Sequence, residues 1–238
     1  MPRRRGLALV LLAAAGSRAA ADEGDCRDYG SLAATGPSLA TVSAAAPRTY
    51  FQRNPGERAG CPGADPACRD KAFLVPGNAV LLGSARGGYA CATYVGAKGL
   101  VRSGWLPEAT LARAPAAPAP APRDWAGTWT APEQRIAIRA DASGALAVSG
   151  EATFGALDPA RVKRGAVNLG SLDGRAKPAG PTLAFTMGSG ATLPYGEGDP
   201  EACRVRLRLV PPFLLAEDNR NCGGMNVSFT GVYRRAGR

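Results

Sequence analysis

Past Pro47 the apolar residues come in short runs punctuated by glycine, proline, asparagine and aspartate, and no run keeps a helical period. Residues 48–53 form a short aromatic run closed by Asn54-Pro55. Residues 71–83 hold two apolar runs broken by Pro76-Gly77-Asn78, which is turn chemistry. Gly87-Gly88 turns the chain again. Beyond it Tyr89, Cys91, Thr93 and Val95 fall on one face of an extended segment, and Ala90, Ala92 and Tyr94 on the other. A short strand at 100–102 and then Gly104-Trp105-Leu106-Pro107 close the region. Five short strands over 47–113 predict a small barrel.

A second series opens at Asp124. Eight candidate strands cover 125–130, 134–140, 146–152, 166–172, 182–187, 203–210, 213–217 and 227–234. The alternation is clearest where Val205, Leu207 and Leu209 face inward and Arg204, Arg206 and Arg208 outward. Eight strands over about 110 residues suit an antiparallel up-and-down barrel, because closure removes exposed edges. The expected fold is therefore all-β: a small barrel, a linker, then an eight-stranded barrel.

The linker is Ala114–Pro122, with proline at 115, 118, 120 and 122. Proline fixes φ and lacks an N–H, so this stretch reads as a semi-rigid polyproline spacer of roughly 28 Å at about 3.1 Å per residue. Pro115 and Pro118 also have PxxP spacing, but their place between two β-regions favours the linker reading. Residues 22–46 hold few large apolar side chains and read as an extended or disordered segment held by Cys26. Residues 1–21 carry Arg3, Arg4 and Arg5, a short apolar stretch from Gly6 to Ala15, and Ala19 and Ala21 before a cut near Ala21. That is the pattern of a secretory signal peptide. The expected division is 1–21 signal peptide, 22–46 lead-in, 47–113 first domain, 114–122 linker and 123–238 second barrel. No later apolar run is long enough to span a bilayer as a helix.

The formal net charge is +10, and loss of Arg3, Arg4, Arg5 and Arg18 with the leader lowers it to +6. Among the basic residues only Lys71, Lys98, Lys163 and Lys177 are lysine. That Arg, Ala, Gly and Pro bias is the mark of a GC-rich bacterial genome, so the expected location is periplasmic or secreted. A mildly basic exported protein can touch anionic wall or membrane surface. The linear sequence offers no basic cluster with interleaved aromatics, so nucleic-acid binding is not expected. Six cysteines in an oxidising compartment predict three disulfides out of fifteen possible pairings. Cys203 and Cys222 are the only two after the linker, Cys61 and Cys68 flank a Pro/Gly loop, and Cys26 with Cys91 would complete the set. Zinc fits poorly, since the chain has no histidine and irregular cysteine spacing.

Two resemblances follow from particular residues. Tyr50-Phe51, the run Lys71–Val75, Gly77-Asn78, Val80, Tyr94, Gly104-Trp105-Leu106 and Leu111 together resemble bacterial SH3-like domains over 47–113. The pattern departs from that family at Tyr89, where a tryptophan is usual, and in the inserted Cys61–Cys68 loop. The resemblance implies Tyr50, Gly104 and Trp105 as core residues, and cell wall or an envelope protein as partner. Asp124-Trp125, Gly127-Thr128-Trp129 and the closing Phe229–Arg234 resemble lipocalin-like (calycin) barrels. There Trp129, beside Trp125, would plug one end of the barrel, with Arg234 or Arg235 packed over it, and a small apolar ligand would be expected inside. Residues 218–233 are also similar to the C-terminal β-domain of exported proteins grouped with lysozyme inhibitors.

Candidate chemistry is sparse. The absence of histidine removes Ser-His and Cys-His pairs, and no phosphate-binding or dinucleotide motif is present, so no cofactor is expected. Glu197, Asp199 and Glu201 are a candidate acid/base or calcium group, but glycine and proline around them favour a solvated turn. Glu217, Asp218, Asn219 and Asn221 carry oxygen ligands without the spacing of an EF-hand loop. The expectation is an exported, non-enzymatic binding protein. A periplasmic lysozyme inhibitor and a carboxylate-based hydrolase are the alternatives.

Overall fold

The computed structural model describes residues 24–26, 32–96, 99–115 and 117–237. The signal segment 1–21 lies outside the described residues. A short helix α1 (Leu32–Thr35) precedes seven strands: β1 (Ser38–Val42), β2 (Thr49–Gln52), β3 (Arg69–Leu74), β4 (Ala79–Arg86), β5 (Tyr89–Val95), β6 (Val101–Pro107) and β7 (Leu111–Arg113). They form one curled antiparallel sheet in the order β3-β2-β6-β5-β4-β1-β7. The sheet starts earlier than the sequence reading placed it. Within the segment read as extended or disordered, residues 38–42 are extended and belong to the sheet, since β1 pairs Leu39 with Leu81 on one side and Val42 with Leu111 on the other. The segment hides in the sequence because only Leu39 and Val42 are large. Ala40 is nevertheless fully buried and lets the neighbouring strands close over it.

A single turn α2 (Pro122–Trp125) leads into the second sheet. Its strands are β8 (Gly127–Ala131), β9 (Gln134–Ala140), β10 (Leu146–Phe154), β11 (Asn168–Ala176), β12 (Thr182–Met187), β13 (Thr192–Leu193), β14 (Arg204–Val210), β15 (Phe213–Asp218) and β16 (Gly231–Arg235), with helix α3 (Pro159–Lys163) between β10 and β11. The strand order is β11-β10-β9-β8-β16-β15-β14-β12-β13, a nearly closed antiparallel barrel of nine strands rather than eight. The added strand, β13, has two residues and too short a pattern to be read from sequence. Trp125 sits in the turn before the first strand, not on it.

The barrel's open seam lies between β11 and the β12–β13 edge, and side chains cover it. Phe185 presses on the backbone of Gly174, where a Cβ would stand 2.3 Å from the ring. Thr192 Oγ1 accepts the Arg175 N–H at 2.9 Å. At its other end β11 is capped by the loop after β15, where Ser171 N–H donates to Cys222 and Gly224 N–H to Leu169. These bonds occupy an edge that would otherwise offer itself to another chain. Inside, Trp129, Ile136, Phe185, Phe229 and Tyr233 are buried and form one core with aliphatic residues from every long strand. This interior is filled by side chains.

Three disulfides close: Cys26–Cys91, Cys61–Cys68 and Cys203–Cys222. The first holds the segment at Cys26 against β5 and the third pins the loop that caps β11.

The two sheets pack on each other. Leu81 and Val95 from the first, Phe213, Leu215 and Val232 from the second, and Leu32 and Ala33 of α1 form a separate buried cluster. This is why β15 is buried on four successive residues, Phe213–Ala216, instead of alternating. Leu214 and Ala216 fill the barrel while Phe213 and Leu215 face the other unit. Two arginines stitch the joint. Arg208 Nε donates to Ala33 O at 2.7 Å, and Arg234 donates to Val95 O. The Pro/Ala segment therefore does not hold the two units apart. It runs along the joint, and its prolines form one wall of a groove of about 540 Å³ whose other walls are Pro37–Leu39 and Leu209–Pro211.

Candidate functional site

The first unit offers two surfaces built from the same hairpin. In β2, Thr49 and Phe51 point into the core, which leaves Tyr50 and Gln52 on the opposite face. In β3, Arg69, Lys71 and Phe73 are exposed. Period two thus gathers the basic and aromatic residues of both strands onto one face. Register places Tyr50 opposite Phe73 and Gln52 opposite Arg69, with a shift between Tyr50 and Gln52. The Tyr50 and Phe73 rings lie 5.5 Å apart. Arg69 sits over Tyr50 at 3.4 Å from the ring centre, and Arg48 over Phe73 at 4.4 Å. A hydrogen bond from Arg48, and then one from Arg69, lower the pKa of the Tyr50 hydroxyl. Tyr50 is therefore not a core residue, as the SH3-like pattern implied. Phe51 holds that place.

Around the end of the hairpin lies a polar cleft of about 310 Å³. Phe51 forms part of its wall, and Gly104 makes room for the ring, since a Cβ there would come within 2.8 Å of it. Asp70 and Arg102 pair across the cleft at 2.5 Å, and Arg102 also lies over Phe51. Gln52 and Asn54 bring carboxamides to the same space, and Ser103 a hydroxyl shared with Thr93 at 2.8 Å. Buried Asn54 is fixed by its own contacts, accepting the Cys26 N–H at 2.8 Å and donating its backbone N–H to Glu57. The cleft thus brings amides, an ion pair and a ring edge into one space. Trp105, next to Gly104, is buried.

The remaining sequence candidates lie in the second barrel and its loops. Trp125 and Trp129 are buried, and Trp129 Nε1 donates to Trp125 O at 2.9 Å. Of the two arginines considered for the cover, Arg235 lies over Trp129 at 4.4 Å and donates to Asp124 O and Ala126 O. Arg234 turns to the joint, over Phe213. Glu197, Asp199 and Glu201 are exposed, and Asp199 accepts the Glu201 N–H in its own turn. Among the described residues no cluster of three or more Cys, Asp or Glu is arranged to hold a metal ion. Asp218 is spent on Ser228 and Thr230, and Asn219 on Arg204 and Asn221. The arginine stripe is engaged too: Arg204 with Asp199 O, Arg206 with Glu217 at 2.8 Å, and Arg208 with α1. Burial lowers the Arg208 pKa, with Arg206 adding to the effect.

The cation–aromatic cluster was missed in the linear reading. Its signal is Arg-x-Tyr at 48–50 and Arg-x-Lys-x-Phe at 69–73, two period-two patterns that mean little until the strands are paired. Comparison with protein-family models, characterised proteins and solved structures finds no match to this chain.

Proposed function

We propose that this chain is a non-enzymatic, exported binding protein of the bacterial envelope, with an SH3-like first domain and a lipocalin-like second barrel. The observation that carries the reading is the polar cleft beside Phe51, where Asp70, Arg102, Gln52 and Asn54 converge on one space. Such a lining suits a peptide of mixed charge, as in the stem peptides of cell wall or an extended protein segment. The cover of Arg235 over Trp129 supports the lipocalin-like reading of the second barrel. Its filled core gives the apolar-ligand reading no support, so the second barrel acts as a partner surface and as the body against which the first is held. The engaged side chains of Asp218, Asn219, Ser228 and Thr230 likewise lend no support to lysozyme inhibition, nor the exposed acidic turn to hydrolysis.

Sedimentation of the full mature chain with purified peptidoglycan tests this function. The chain is expected in the pellet, and the Asp70→Ala, Arg102→Ala variant is expected in the supernatant. A wild-type chain that stays in solution, or a variant retained as well as wild type, overturns the cleft as the wall-contacting site.

A further inference from the structure

We infer that the outer face of the β2–β3 hairpin is a second binding surface, and that it takes an anionic polysaccharide through Arg48, Arg69 and Lys71 with Tyr50 and Phe73 between them. The first argument is charge. Among the described residues Arg48, Arg69 and Lys71 have no carboxylate partner, whereas the acids of this unit are engaged elsewhere. Asp70 faces the cleft with Arg102, Asp65 pairs with Arg58, Glu108 with Arg113, and Glu57 accepts the Asn54 N–H. Among the described residues the face therefore presents three cations with no counter-charge of its own.

The second argument is the form in which the charge is held. Each guanidinium lies over a ring, at 3.4 Å and 4.4 Å, so the two cations are held beside the aromatic pair rather than swinging free on their stems. Ordering these side chains beforehand lowers the cost of binding. Phe73 keeps 39% of its surface exposed, and Gln52, which also borders the cleft, lies one step along the strand with its amide. Carboxylates, a C–H face that packs on rings and hydroxyls for an amide occur together on a uronate-type sugar chain.

The third argument separates this ligand from an acidic peptide. A peptide would gain most by adding a strand to the edge of β3. That edge is spoiled: the register shifts between Tyr50 and Gln52, and the Ala72 N–H is already donated to Asp70 at 3.1 Å. Side-chain recognition is what the face has to offer.

The test is binding of the full mature chain to polygalacturonate, with dextran, polyglutamate and a single-stranded oligonucleotide as comparators. Polygalacturonate is expected to bind and dextran not to. Arg48→Glu with Arg69→Glu is expected to weaken binding by roughly tenfold or more, as is a rise to physiological salt for a contact carried by charge. Lys163→Glu with Arg164→Glu, on the exposed end of α3, is expected to change little. Should the double reversal fail to fold, Arg48→Gln with Arg69→Gln carries the same comparison, with near-ultraviolet dichroism as the check on folding. Equal binding by the hairpin variants, no binding by wild type, or tighter binding of polyglutamate or the oligonucleotide overturns the inference. The cleft variant Asp70→Ala, Arg102→Ala keeps the hairpin cations, so loss of peptidoglycan retention there and loss of polygalacturonate binding here are separate results.

Discussion

At the residue scale, the tightest constraint is a glycine. Gly174 lies where β11 approaches β12 without a ladder, and the Phe185 ring occupies the space a side chain would need. A methyl group there would meet the ring at 2.3 Å, and a buried ring packed on all sides cannot move aside freely. Gly174→Ala is expected to destabilise the protein by about 1–3 kcal/mol, read as a lower urea midpoint, in the range of overpacked cores. Adding Phe185→Leu should recover part of that loss, whereas an unaltered midpoint for Gly174→Ala would show that the ring does not close the seam. The same scale shows what a linear reading misses. Tyr50 and Phe51 are adjacent aromatics, and nothing in the sequence says which faces the core. The answer comes from pairing with β3, which puts Tyr50 beside Phe73.

At the element scale, edges decide the design of the second barrel. Its sheet ends at β11, and the loop carrying Cys222 and Gly224 occupies the start of that strand. The Cys203–Cys222 bond joins this loop to the chain just before β14 across 19 residues, a closure worth roughly 3 kcal/mol through the unfolded state. Replacing both cysteines by serine should lower the melting temperature and raise hydrogen exchange at Ser171, whose N–H donates to Cys222. If exchange there stays at its original rate, the loop holds the edge without its covalent anchor. Most strands of this barrel were readable in the sequence because Val205, Leu207 and Leu209 alternate with arginines, as Ile136 and Ile138 do with their neighbours. The strands that escaped had weak patterns: β13 is two residues long and β1 is mostly small side chains. The cleft escaped for another reason. Asp70, Arg102 and Asn54 come from separate segments, and only the hairpin and β6 bring them together.

At the scale of the whole molecule, the two sheets share a buried joint, which the apolar run at 213–216 recorded without revealing. Phe213 is its largest fully buried side chain. Phe213→Ala is expected to cost about 3–5 kcal/mol and to split a single thermal transition into two as the units unfold apart. One unchanged cooperative transition would mean that the joint contributes little. The Pro/Ala strap adds a further property to this joint. Because the chain crosses from one unit to the other only through that short segment, redocking is intramolecular, at an effective concentration on the order of millimolar. A contact too weak to bring two free proteins together on dilution remains shut in one chain. The strap thus acts as a tether that raises occupancy of the joint, and a cut in it would make that occupancy depend on concentration.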